Sequence, residues 1–160
     1  MENPRFKSRR PKLVERRYQP GSMVKAISVG ALIDFLGSVA VAAAFGIVYS
    51  SILLAQGMSE DAIRQTLEAL TPWAGLGLLA SALTLPVSIF AGYKTAAIAN
   101  RPNYLAPGLV AVISCGLNAM VVTAEPPPRF ALAVMSVLNV ITFLGGAYIH
   151  VRKLPTTLNG

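Results

Sequence analysis

The chain is 160 residues long, enough for one domain and little more. Hydrophobic residues make up 54% of it and charged residues only 13%, about half the ~25% typical of soluble domains. With a mean hydropathy of +0.56, this composition excludes both an ordinary soluble enzyme and a disordered chain, and the net charge of +7 is concentrated at particular points.

The first element is a tail over residues 1–26. It holds Arg5, Lys7, Arg9, Arg10, Lys12, Arg16, Arg17 and Lys25, with Pro4, Pro11 and Pro20 opposing a long helix. Ser8-Arg9-Arg10 has a twin-arginine flavour, but the apolar run begins too far downstream for a cleaved export signal. No folded module accompanies the basic residues, so nucleic acid is not an expected partner. The expected role is a solvated, disordered anchor touching anionic lipid headgroups, at about 1 kcal/mol per basic residue near the surface.

A membrane-crossing helix needs about 20 mainly apolar residues, and four segments qualify: 27–55, 72–99, 104–123 and 130–149. Barrel strands would alternate polar and apolar residues. These runs do not, so helices are expected to satisfy the backbone within lipid. The first span carries one charge, Asp34. Its fourteen Ile, Leu, Val and Phe residues contribute roughly −4 to −8 kcal/mol to insertion, against about +2.5 to +3.5 for a central aspartate. Insertion wins.

Between spans one and two, residues 60–70 read as an amphipathic helix lying on the membrane surface. Ser59 caps it, Glu60 and Asp61 match its dipole, and Met58 and Ile63 stand at staple positions. Ile63, Leu67 and Leu70 share one face, while Glu60, Arg64 and Glu68 share another. Thr71-Pro72 then reads as a cap and first helical position. In span two, Ala80, Thr84, Ser88, Gly92 and Ala96 form a stripe of small residues at spacing four. It is expected to pack on Ser38, Ala42, Gly46 and Ser50 of span one. Pro86 should kink span two and is a candidate hinge, with the Thr84 and Ser88 hydroxyls partly compensating for the lost hydrogen bond.

Asn100-Arg101-Pro102-Asn103 and Pro126-Pro127-Pro128 are short turns, so spans two, three and four should be antiparallel neighbours. Phe90-Ala-Gly-Tyr-Lys and Phe143-Leu-Gly-Gly-Ala-Tyr end spans two and four alike, a hint of two related hairpins. A short tail, residues 154–160, follows. The expected architecture is an all-α membrane protein: a four-transmembrane-helix antiparallel bundle, with a short amphipathic interfacial helix between helices 1 and 2.

Orientation follows from Lys and Arg. Twelve of the fourteen fall on one side: the eight of the first tail, Lys94, Arg101, Arg152 and Lys153. Only Arg64 and Arg129 fall on the other. Both termini should be cytoplasmic, in a bacterial cell inner membrane.

Few residues are candidates for chemistry. One cysteine, Cys115, and one histidine, His150, exclude an intramolecular disulfide and a Cys- or His-rich metal site. No catalytic residue, cofactor or metal is expected, and the protein is not read as an enzyme. The intramembrane ionisable candidate is Asp34, about 10 Å below the boundary counted from Ile27 at ~1.5 Å per residue. Lys94 is its expected ion-pair partner and Asn139 the next candidate. Such a group is costly in lipid and by default points to function. Two functions follow. The leading one is an interaction or structural subunit, or assembly factor, of a membrane complex, with other membrane proteins or a second copy as partner. The alternative is a small proton-coupled transporter of a cationic solute, using Asp34.

Overall fold

The computed structural model describes residues 21–70, 75–100, 104–120 and 128–153. It is helical throughout these segments: α1 (Met23–Ala55), α2 (Glu60–Glu68), α3 (Gly75–Leu83), α4 (Leu85–Ala99), α5 (Leu105–Met120) and α6 (Arg129–Arg152). Three stretches are long and apolar enough to cross a membrane: α1, the α3–α4 run over Gly75–Ala99, and α6. The expected third span is represented by a shorter apolar helix, Leu105–Leu117, and its far end lies outside the described residues. So do Thr71-Pro72, Arg101-Pro102-Asn103, Pro126-Pro127 and both tails up to residue 20 and from residue 154.

Local chemistry sets the helix ends. α1 starts four residues earlier than expected, because the Ser22 side chain accepts from the Lys25 N–H at 3.3 Å. At its other end, the Gly57 N–H bonds the Leu54 carbonyl and the Met58 N–H bonds the Leu53 carbonyl. This Schellman pattern needs the left-handed Gly57, at φ 83°. The α2 helix begins at Ser59, which accepts from the Ala62 N–H. Its Ile63 is buried, and its exposed Arg64–Glu68 pair is 3.2 Å apart. Asn100 closes α4 in the left-handed region, and Pro107 fits within the first turn of α5, where no intrahelical donor is lost.

Span two is broken, as its proline predicts. Pro86 cannot donate to the Ala82 carbonyl, and the helix stops at Leu83 and restarts at Leu85. Thr84 bridges the gap: its N–H and its hydroxyl both donate to the Ser81 carbonyl, at 3.2 and 2.7 Å. The Ser88 hydroxyl, expected to help at the break, is used elsewhere.

Direction is read from the contacts. Gly21 donates to Ala99, Gly30 abuts Thr95, and Gly37 abuts Val87, so α1 and α4 are antiparallel. Ala26 clusters with Ala106 and Gly30 faces Val110, so α1 and α5 run the same way. We call the end holding Gly21 and Ala99 proximal and the end holding Gln56 distal. The core is proximal. Ala91, Val110, Ala111 and Phe143 form one cluster, and Ala26, Ala99 and Ala106 form another.

The closest approach is between α4 and α6. A Cβ at Gly92 would stand 2.8 Å from the Phe143 carbonyl carbon, and one at Gly146 would stand 2.8 Å from the Tyr93 nitrogen. In lipid, where apolar burial gives no net drive between helices, such backbone proximity is what holds them. Gly92 therefore serves the α4–α6 contact, which corrects its expected place against span one.

Candidate functional site

Asp34 lies eleven residues into α1, about 16 Å from the helix start at ~1.5 Å per residue. The count from Ile27 is shorter because the helix begins at Met23. It is 7% exposed, and one carboxylate oxygen accepts from the Ser88 hydroxyl at 2.7 Å. Gly30, one turn earlier, lets α1 approach Thr95, whose own hydroxyl bonds the Ala91 carbonyl at 2.8 Å. Ser88 and Thr95 are both buried. The site is therefore a carboxylate set into the α1–α4 seam, flanked by a small residue that permits contact and held by one neutral donor.

Lys94 does not reach Asp34. It is exposed, with its ammonium 5.3 Å from the centre of the Phe90 ring. The reason is helical phase. Six residues separate Ser88 from Lys94, which at 3.6 residues per turn places them about 120° apart around α4. The expected ion pair is thus replaced by a hydrogen bond to a hydroxyl. Asn139 is not a partner of Asp34 either. It faces α5, with its amide 3.6 Å from the Cys115 sulfur, while the Cys115 thiol lies 3.9 Å from the Ser136 carbonyl.

The stripe residues separate into distinct roles. Ser88 meets Asp34 and Gly92 meets α6, while Ala96 is buried and Ala80 and Thr84 are half-buried. Span one contacts α4 through Gly30, Asp34 and Gly37, the proximal continuation of the Ser38–Ser50 stripe. That stripe itself does not serve the contact as expected: Ala42 is exposed, and nothing lies within 4 Å of a Cβ at Gly46. The break at Thr84 falls at this level, and beyond it α3 lies only thinly against α1.

Ser88 as the acceptor's donor was missed in the sequence. The usable signal was the run Gly30, Asp34, Ser38 at spacing four, which puts the carboxylate inside a small-residue contact face and calls for a small polar residue opposite. Surface grooves among the described residues include two. One lies between α1 and α2, lined by Ser50, Leu54, Glu60, Ile63 and Arg64, and the other lies on α6 around Val134 and Val137. Neither includes Asp34.

Fold and site together define a helical protein whose apolar helices are those of a membrane protein, with one polar contact sealed between two of them. No family model, curated protein or solved structure matches the chain.

Proposed function

We propose that the chain is a small multi-pass inner-membrane protein that acts as an interaction or structural subunit of a larger membrane assembly, with both termini cytoplasmic. The observation that carries this reading is Gly46. Gly30, Gly92 and Gly146 are closed against a neighbouring backbone or side chain, whereas Gly46, like Gly108, Gly116 and Gly145, is not. Within the run Ser38, Ala42, Gly46 and Ser50, Ala42 is exposed and no described residue closes on Gly46. Large apolar side chains surround it, including Val39, Ile47 and Val48, all exposed.

Small residues at spacing four favour close helix approach in lipid, so this face suits another transmembrane helix. The reading is non-enzymatic. Purification in mild detergent should recover a stoichiometric companion or a defined self-assembly, and Gly46→Ile should release it while leaving the bundle folded. A lone monomer unaffected by Gly46→Ile contradicts the proposal.

A second reading is favoured by one observation: Asp34 is a buried carboxylate whose hydrogen-bond partner among the described residues is the neutral Ser88 hydroxyl. A carrier of a cationic solute in exchange for protons would use such a group, with proton and solute competing for it. Its test is pH-driven flux in proteoliposomes, which Asp34→Asn abolishes if Asp34 is the coupling site and leaves unchanged if the carboxylate only joins helices.

A further inference from the structure

We infer that the proximal end of the α4–α6 pair is a docking surface for the headgroup of an anionic phospholipid. Lys25, Lys94, Arg152 and Lys153 are all exposed at or near this end. The described carboxylates are elsewhere: Asp34 is in the α1–α4 seam, and Glu60, Asp61 and Glu68 are on α2 at the distal end. Among the described residues, no carboxylate faces these cations.

Two of them are also positioned. The Lys94 ammonium stands over Phe90, and the Lys153 ammonium stands 5.6 Å from the centre of the Tyr93 ring. Tyr93 is in turn fixed by an edge contact with His150 on α6, ring centres 5.2 Å apart. Phe90, Tyr93 and Lys94 belong to α4, and His150 and Lys153 to α6 or its cap, so the surface straddles the glycine-packed crossing. A ring under an ammonium satisfies it electrostatically but leaves its N–H donors free for phosphate oxygens.

Helix polarity opposes an anion here. α4 and α6 both end at this surface, each contributing about half a negative charge. Four full positive charges outweigh that. The commitment to a lipid, rather than to free phosphate, rests on what lies beside the cations. Phe90, Tyr148 and Ile149 are exposed, and Phe90 and Ile149 precede Lys94 and Lys153 by four residues, about one helical turn towards the middle of each helix. Acyl chains fit these side chains; inorganic phosphate has no use for them. The surface is separate from the α1 stripe around Gly46, so it stands independently of the subunit reading.

The test uses the full chain in mixed micelles, with native mass spectrometry of lipid retained against phosphatidylglycerol or phosphatidylcholine. Wild type should retain phosphatidylglycerol preferentially. Lys94→Gln with Lys153→Gln should weaken that retention roughly thirtyfold, at about 1 kcal/mol for each basic residue. Lys94→Arg with Lys153→Arg should preserve it, and the loss caused by the two glutamines should persist in a background with Gln at Arg9, Arg10, Arg16 and Arg17 of the tail. Equal retention of the two lipids by wild type overturns the inference even if the glutamine variant fails to fold. So does loss of retention only in the tail variant, or displacement of the lipid by excess inorganic phosphate.

Discussion

Asp34 and Ser88 join α1 to α4 through one hydrogen bond of 2.7 Å in a buried setting. Removing the donor leaves the carboxylate without a partner, so Ser88→Ala should destabilise the bundle by about 1–3 kcal/mol, read as an earlier midpoint in an SDS-unfolding titration. Asp34→Asn keeps an oxygen acceptor for the Ser88 hydroxyl and should hold the midpoint within about 1 kcal/mol of wild type. A midpoint unchanged by Ser88→Ala would remove the pair from the account of stability. That Asp34 sits deep within an apolar helix was legible in the sequence, since no other ionisable residue lies so far inside an apolar run. Its partner was not. Depth along the chain made Lys94 plausible, but pairing depends on rotation about α4 as well, and a hydroxyl six residues away holds the matching phase.

At the scale of elements, the α4–α6 crossing and the break before α4 are the two places where single residues decide the geometry. Gly92→Val inserts side-chain atoms where a Cβ alone would press on the Phe143 backbone, and backbone cannot step aside. The expected cost is about 1–3 kcal/mol or more, whereas Gly46→Val, in open space, should leave the unfolding midpoint near that of wild type. The comparison is read in the same titration, and equal effects would contradict the packing described. Pro86→Ala restores a donor for the Ala82 carbonyl. It should join α3 to α4, seen as slower amide exchange over residues 84–87, and unchanged exchange would mean that packing rather than proline sets the break. Several helix ends were legible: Ser59, Asn100 and Pro86 act through local backbone chemistry that a sequence displays. The assignment of small-residue stripes to partners was not, because Gly30, Gly46 and Gly92 are alike in sequence and differ only in what the fold brings against them.

For the molecule as a whole, three helices long and apolar enough to cross a membrane were visible from composition and run length. The placing of the described core at the proximal end was not, because it depends on which helix faces meet. The orientation proposed above rests on the asymmetry of basic residues, and the headgroup surface inferred at the proximal end would lie on the same side. α1 spans 33 residues, about 50 Å at ~1.5 Å per residue, more than the ~30 Å hydrocarbon layer. Its two ends should therefore emerge on opposite sides. The most direct test is labelling of intact cells with a membrane-impermeant maleimide, using single cysteines Ser22→Cys and Gln56→Cys in a Cys115→Ser background. The account predicts that Cys at position 56 reacts from outside and that Cys at position 22 reacts only after the membrane is permeabilised. Labelling of both positions from the same side, or of position 22 alone from outside, would contradict it.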